Sequence, residues 1–450
     1  MVGLVAVVAF LNVLPNDYCY DDFAIVADSA KINEPGGWSE IWTTDHWSAA
    51  KDDGPDRDLL YRPASLSTHR LVRIWFGKRP YAHHLANVLL HACLCVMLVR
   101  LCWHVGGSER SAAIAGILFA VLPIHTEAVA PIVGRSDLLA TLGVLCAVLA
   151  HRRSLGARGS VAIVRWRFFA AMVAFGAMAS KESGVAVIAL VPLFDALWSR
   201  RDGNAEVESP PRWRTIKRTL YLLAPLALFV ALRYYALGGT LHQTPPLTKT
   251  LNVLVDAPLW QRSLGAVQLW GIYWAKTVWP AVLSIKYTIN SLRLATGLSD
   301  AHVLIGAFTL TGLLTLCVST WKRGGRVFAV LALALIVSYL PTSNVLVLMR
   351  VFVAERTWYL PSVWLVMIVA LIAAPRMDRR ITWVVFGLVA TAMVGRCWIR
   401  SSEWRNNGVL YAAAVTDQPH GAGALQLLGQ WLVDRGGLID GVGFLNRAIE

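Results

Sequence analysis

Asp21 and Asp22 stand side by side in PNDYCYDDF (15–23), directly after the apolar opening MVGLVAVVAFLNVL. A carboxylate at a membrane exit is placed to take a proton from a hydroxyl acceptor, which is general-base work. A like-charged neighbour strengthens such a base by raising its pKa. The same pair also fits a turn or capping role, and the residues alone leave both readings open.

Cationic side chains recur further along: Arg62 in YRP, Arg135 in GRSD, Lys181 in SKESG and Arg356 in VAERTWYLPS. Arg presents a planar fork of donors and Lys a point charge, two ways of holding a phosphate. Taken singly, Lys181 with Glu182 and Arg356 with Glu355 are ion pairs bracing helix ends. Taken with Arg62 and Arg135, they point to an anionic substrate. Around them lie His69, Arg70, His83, His84, His91, His125, Glu127 and Asp137. His84 and His91 are seven apart and share one helical face, whereas His125 and Glu127, two apart, share a surface only on a turn or extended chain. A divalent metal is one reading of these histidines, and hydrogen-bonded core roles are the plainer one. The sequence has neither an HExxH motif nor a phosphate-binding glycine loop.

These residues need a scaffold, and the composition says which kind. The 450 residues are 56% hydrophobic and 16% charged, against about 25% charged in a soluble domain. Apolar runs near 20 residues recur throughout, as in an all-α polytopic membrane protein. About eleven spans are expected, near 1–16, 84–104, 111–127, 132–150, 167–180, 183–199, 216–236, 301–320, 327–347, 357–375 and 381–397. The formal charge of +14 sits in loops between these runs, so positive-inside orientation explains it better than a nucleic-acid partner. The seven cysteines show no metal or disulfide spacing.

Residues 151–167, 199–218, 321–326 and 376–380 are basic and are expected on the cytoplasmic side. The aspartate-rich segment 16–83 is the expected first extracytoplasmic loop. Segment 264–285 carries Gln268 and Lys276 among aromatic residues, so it reads as interfacial rather than crossing. With that assignment the N-terminus lies inside, the C-terminus outside, and every polar residue named above falls at or near one face. Residues 1–399 then form the membrane domain and 400–450 a helical tail. Within that tail, 423–450 reads as two short helices with a turn near Gly436–Gly437, like one tetratricopeptide repeat.

YDDFAI (20–25), LLYRPASLSTHRL (59–71), YAHHLANVLLHA (81–92), LFAVLPIHTEAVAPIVGRSDLLATL (118–142), ASKESGVAVIALVPLFD (179–195), SYLPTSN (338–344) and VAERTWYLPS (353–362) resemble the transmembrane, tetratricopeptide-repeat O-mannosyltransferases. RCWIRSSEWRNNGVLYAAAV (396–415) is similar to that family's passage into its repeats. The resemblance implies a C-type, lipid-donor glycosyltransferase fold, with Asp21 or Asp22 as base and its neighbour as helper. It implies Arg62, Arg135, Lys181 and Arg356 at the donor phosphate. His84, His91, His125, Glu127, Asp137, Glu182 and Glu355 would support them. The implied reaction moves mannose, with inversion, from a polyprenyl-phosphate donor such as dolichyl-phosphate-mannose to Ser or Thr of an extended or unfolded protein. The implied site is the endoplasmic reticulum membrane in a eukaryote, or the plasma membrane with an undecaprenyl-type carrier in a bacterium. A lipid or glycan acceptor, a transporter and a non-catalytic scaffold are the alternatives.

Overall fold

The computed structural model describes residues 1–48, 59–198, 212–241, 249, 252–288, 290, 292–323, 325–377 and 379–449. Arg200 and Arg201 of the second basic loop lie outside the described residues. The described chain is helical throughout, with no strand among its elements.

Among the described residues, seven helices are long and apolar enough to cross a membrane: Pro80–His104, Ile132–Leu155, Ser160–Ser180, Trp213–Ala236, Ala301–Lys322, Glu355–Arg376 and Arg380–Glu403. An eighth arises if the pair Glu109–Val121 and Pro123–Val129, bent by 54°, is counted as one span. The bend falls where Pro123 removes a backbone donor. About eleven spans were expected, and seven or eight of them reach full length among the described residues. Val2–Val13 and Arg326–Thr342 are apolar but short. Segment 183–199 begins as a tight turn of helix over Glu182–Ala186 and leaves only Val187–Trp198 regular. A 12-residue helix rises about 18 Å against a hydrocarbon core of about 30 Å.

Segment 264–285 forms the helix Leu259–Val278, which is not among the seven. Both of its ends meet one segment, 344–355. Arg262 Nε donates to the Asn344 carbonyl at 3.0 Å, and the Tyr273 hydroxyl donates to the Ala354 carbonyl at 3.0 Å. At its middle, Gly271 lets the His302 and Gly306 backbone pass so closely that a Cβ would overlap them. The helix therefore packs closely against Ala301–Lys322 through these small residues.

The last long helix, Arg380–Glu403, runs past the expected boundary at 399. Three shorter helices follow: Asn407–Asp417, Ala422–Val433 and Leu438–Ile449. The last two form the expected pair, turning at Gly436 with φ +87°, a conformation that glycine adopts without strain.

The two ends of the bundle differ in chemistry. Helix Arg135–Leu155 begins with Arg135 and Asp137 and ends with Arg152 and Arg153. At its basic end His151 and Asp195, both fully buried, pair at 2.9 Å. Thr215 Oγ1 donates to Asp195 at 2.7 Å, and Tyr221 meets His151 at 3.1 Å. That network ties Trp213–Ala236 to its neighbours. The acid pair and its surroundings occupy the other end.

Candidate active site

The two adjacent acids point apart. Tyr20 has φ +53°, the left-handed region that a bulky side chain rarely enters. Beyond that turn Asp22 is fully buried. Its Oδ1 accepts the Val133 amide at 2.9 Å and its Oδ2 the Cys19 amide at 3.3 Å. Burial pushes its pKa up to about 7, against the pull of those backbone donors. Asp21 is half-buried and its carboxylate accepts no hydrogen bond among the described residues. Burial raises its pKa above the usual carboxylate range, while the charges of Arg356, Lys286, Arg350 and Arg62 oppose that rise.

Local sequence explains how Val133 reaches Asp22. The segment PIHTEAVAPIVG packs as short helical turns, Pro123–His125, Thr126–Val129 and Ile132–Gly134. Asn87 Nδ2 donates to the Pro131 carbonyl at 2.9 Å, which holds the turn against helix Pro80–His104. Gly134 lies so close to the Ala128 carbonyl that any Cβ would overlap it.

The four expected phosphate-binding cations have different surroundings. Lys181 Nζ donates to both oxygens of Asp137, at 2.6 and 2.7 Å, and both side chains are buried. Burial lowers its pKa, with the Asp137 charge acting the other way. Arg62 grips Glu182 through Nε at 3.0 Å and Nη2 at 2.8 Å. Arg233 meets the same carboxylate at 3.4 Å. Burial alone would raise the Glu182 pKa, and the two guanidiniums hold it at about 2. Arg135 is buried, with Nε donating to Asn87 Oδ1 and Nη2 to the His83 carbonyl, both at 2.8 Å. Arg356 is partly exposed and lies 3.7 Å from Glu127, which also accepts the Arg356 amide at 3.1 Å.

The histidines divide in the same way. His91 meets the Tyr359 hydroxyl at 2.6 Å and the Ala120 carbonyl at 3.2 Å. His125 meets the Phe119 carbonyl at 2.9 Å and Ser362 Oγ at 2.8 Å. Both pack between helices and are spent there. His84 is buried with neither ring nitrogen hydrogen-bonded. Among the described residues no three His, Cys, Asp or Glu side chains converge as metal ligands.

Glu355 is buried and accepts the Ser284 amide at 2.9 Å and the Tyr287 hydroxyl, with Lys276 at 3.7 Å. It fastens helix Leu259–Val278 and the non-helical stretch after it to the acid end. That stretch delivers Lys286, which sequence reasoning passed over. Lys286 makes no hydrogen bond or ion pair among the described residues, and its charge acts on Asp21. Arg350 acts on Asp21 as well, from the 345–352 segment shaped by Asn344 at φ +62°. The signal was present in KYTIN: a lysine after an apolar, aromatic run, with no acid nearby in sequence.

Chemically, the end of the bundle combines one unengaged carboxylate of raised basicity with nearby cations that are not all neutralised. That arrangement can deprotonate a hydroxyl and stabilise a departing anion.

No family model matches the chain, and no solved structure matches it. Curated relatives do. Protein O-mannosyl-transferase TMTC4 of Homo sapiens is 26% identical over 97% of this chain and 64% of its own length. Protein O-mannosyl-transferase TMTC3 of Homo sapiens is 24% identical over 92% of this chain and 47% of its own. For protein O-mannosyl-transferase TMTC2 of Mus musculus the figures are 24%, 91% and 57%. The chain spans less than two thirds of the length of these relatives. Over nearly all of its own length, it is similar to the TMTC protein O-mannosyl-transferases.

Proposed function

We propose that this chain transfers mannose from a polyprenyl-phosphate donor to Ser or Thr hydroxyls of proteins, with Asp21 as the general base. The observation that carries this reading is the contrast between the neighbours: Asp22 is consumed by backbone donors, and Asp21 is left free among cations. The names of the relatives supply mannose and the protein acceptor.

In the reaction, the acceptor oxygen attacks the anomeric carbon as its proton passes to Asp21. The bond from that carbon to the phosphate oxygen breaks on the opposite side, which inverts the centre. The phosphate leaves as an anion and needs no proton, so its charge is met by Arg356 and Lys286. Lys181, Arg62 and Arg135 hold the frame through Asp137, Glu182 and Asn87. The lipid tail lies between helices in the bilayer. The site faces the extracytoplasmic side, in the endoplasmic reticulum of a eukaryote or the plasma membrane of a bacterium, and the acceptor enters as an extended chain.

The test uses the purified chain in nanodiscs with radiolabelled dolichyl- and undecaprenyl-phosphate-mannose and an unfolded Ser/Thr-rich protein. Label in protein with the wild type, and none with Asp21→Asn, is the expected result. Label in lipid or glycan replaces the acceptor, and transfer that survives Asp21→Asn removes Asp21 as the base.

A further inference from the structure

The segment that ends in the acid pair is held by the tail, not only by the membrane helices. The Asn16 amide donates to the Ser401 carbonyl at 3.0 Å, and the Asp17 N–H donates to the Arg405 carbonyl at 3.0 Å. Cys19 Sγ lies 3.6 Å from the Trp404 carbonyl. The Tyr20 N–H donates to Asn407 Oδ1 at 2.7 Å, and its ring meets Tyr411 edge-on at 6.4 Å between centroids. Residue after residue, 16–20 is registered against 401–411.

Tyr20 is the residue whose backbone departs from the ordinary. A non-glycine residue in the left-handed region carries about 1–2 kcal/mol of strain and persists only where the surroundings fix it. The bond to Asn407 is the direct hold on that peptide. Asn407 is itself well placed to serve as an anchor. It is the first residue of helix Asn407–Asp417, whose start is fixed by Asn406 accepting the Val409 amide at 3.1 Å. The next residue, Gly408, sits against the Trp431 ring, leaving no room for a Cβ.

We propose that Asn407 is a positioning residue for the base: by accepting the Tyr20 N–H it holds the left-handed turn that sends Asp22 inward and leaves Asp21 free. The inference rests on the transfer reading above for its kinetic consequence, while its structural half stands by itself. The tail thereby becomes part of the catalytic frame.

The experiment compares wild type, Asn407→Ala and the double variant Asn407→Ala/Tyr20→Gly in nanodiscs, with dolichyl-phosphate-mannose and an unfolded Ser/Thr-rich protein. Hydrogen–deuterium exchange of the peptide covering 16–24 is followed in parallel. Losing one net hydrogen bond predicts a kcat about five- to tenfold lower in Asn407→Ala. The donor KM stays unchanged and exchange in 16–24 is faster, while peptides from Pro80–His104 and Arg135–Leu155 keep their wild-type exchange. Glycine enters the left-handed region without strain, so the double variant recovers kcat toward wild type. Wild-type kcat and exchange in Asn407→Ala overturn the proposal. So does a loss spread over kcat, donor KM and exchange throughout the chain, because that is general destabilisation. If wild type transfers no mannose, the transfer reading fails, and exchange in 16–24 alone still decides whether Asn407 holds the turn.

Discussion

Asp22 Oδ1 accepts the Val133 amide at 2.9 Å, and this bond separates the roles of two carboxylates that are neighbours in the chain. Asp21→Asn removes the proposed base and leaves the packing intact. The expected result is transfer lower by about 10²–10⁴-fold, the usual contribution of a general base, with unchanged thermal stability and donor binding. Asp22→Asn instead turns an amide donor toward the Cys19 N–H. A buried unsatisfied donor costs about 1–3 kcal/mol, so this variant loses stability first and activity second. Melting curves and initial rates on both variants check the division.

The raised pKa of Asp22 carries a pH signature. Its folded value, about 7, exceeds the unfolded value of about 3.9, so the folded protein binds the proton more tightly. The stabilisation is complete below about pH 4 and is lost as pH rises through about 7. The wild-type melting midpoint should fall between those limits more steeply than that of Asp22→Asn. Equal slopes would place the proton elsewhere.

Lys181 and Asp137 form a buried, bidentate pair, and breaking such a pair from one side strands a charge. Lys181→Met is expected to cost about 3–5 kcal/mol, whereas Lys181→Met/Asp137→Leu recovers most of it. The recovered double variant should still bind dolichyl phosphate. If it folds and binds none, Lys181 belongs to the donor site and not to the frame.

Lys286 is the complementary case. Burial lowers its pKa below the usual lysine range, so its charge fades at a lower pH than that of a free lysine. Donor KM should rise with pH below about 10, and Lys286→Arg should abolish that rise because its charge persists. Lys286→Gln should raise donor KM about tenfold at neutral pH, with a weakened response to salt. A donor KM indifferent to all three conditions would remove Lys286 from the site.

Much of this arrangement was legible in the residues. Long apolar runs marked seven of the helices, because membrane burial demands unbroken apolar length. The charges that interrupt those runs marked the end of the bundle that holds the acid pair. Three things were not legible. Whether a cation faces a ligand or a carboxylate depends on residues distant in sequence: Lys181 finds Asp137 and Arg62 finds Glu182 only after folding. Which of two adjacent acids is free depends on one torsion at Tyr20, and no propensity favours that torsion for tyrosine. The short helices at 187–198 and 326–342 look like full spans because composition does not report where a helix starts.

Gly134 offers a test of the whole arrangement from outside the reactive groups. Its Cα faces the Ala128 carbonyl with no room for a Cβ, and it directly follows Val133, whose amide holds Asp22. Gly134→Ala must therefore move one wall of the turn by a few tenths of an ångström or more. Overpacking of this kind costs about 1–3 kcal/mol. Part of that loss should come from the Val133 bond. The variant is then expected to melt earlier and to show an altered fall in stability between pH 4 and 7, because Asp22 has lost one of the backbone donors that restrain its pKa. The steeper of the two slopes belongs to the variant, since its carboxyl takes the proton more readily. A variant that melts earlier with the wild-type pH slope would show that the turn gives way on its other side, leaving Val133 and Asp22 together.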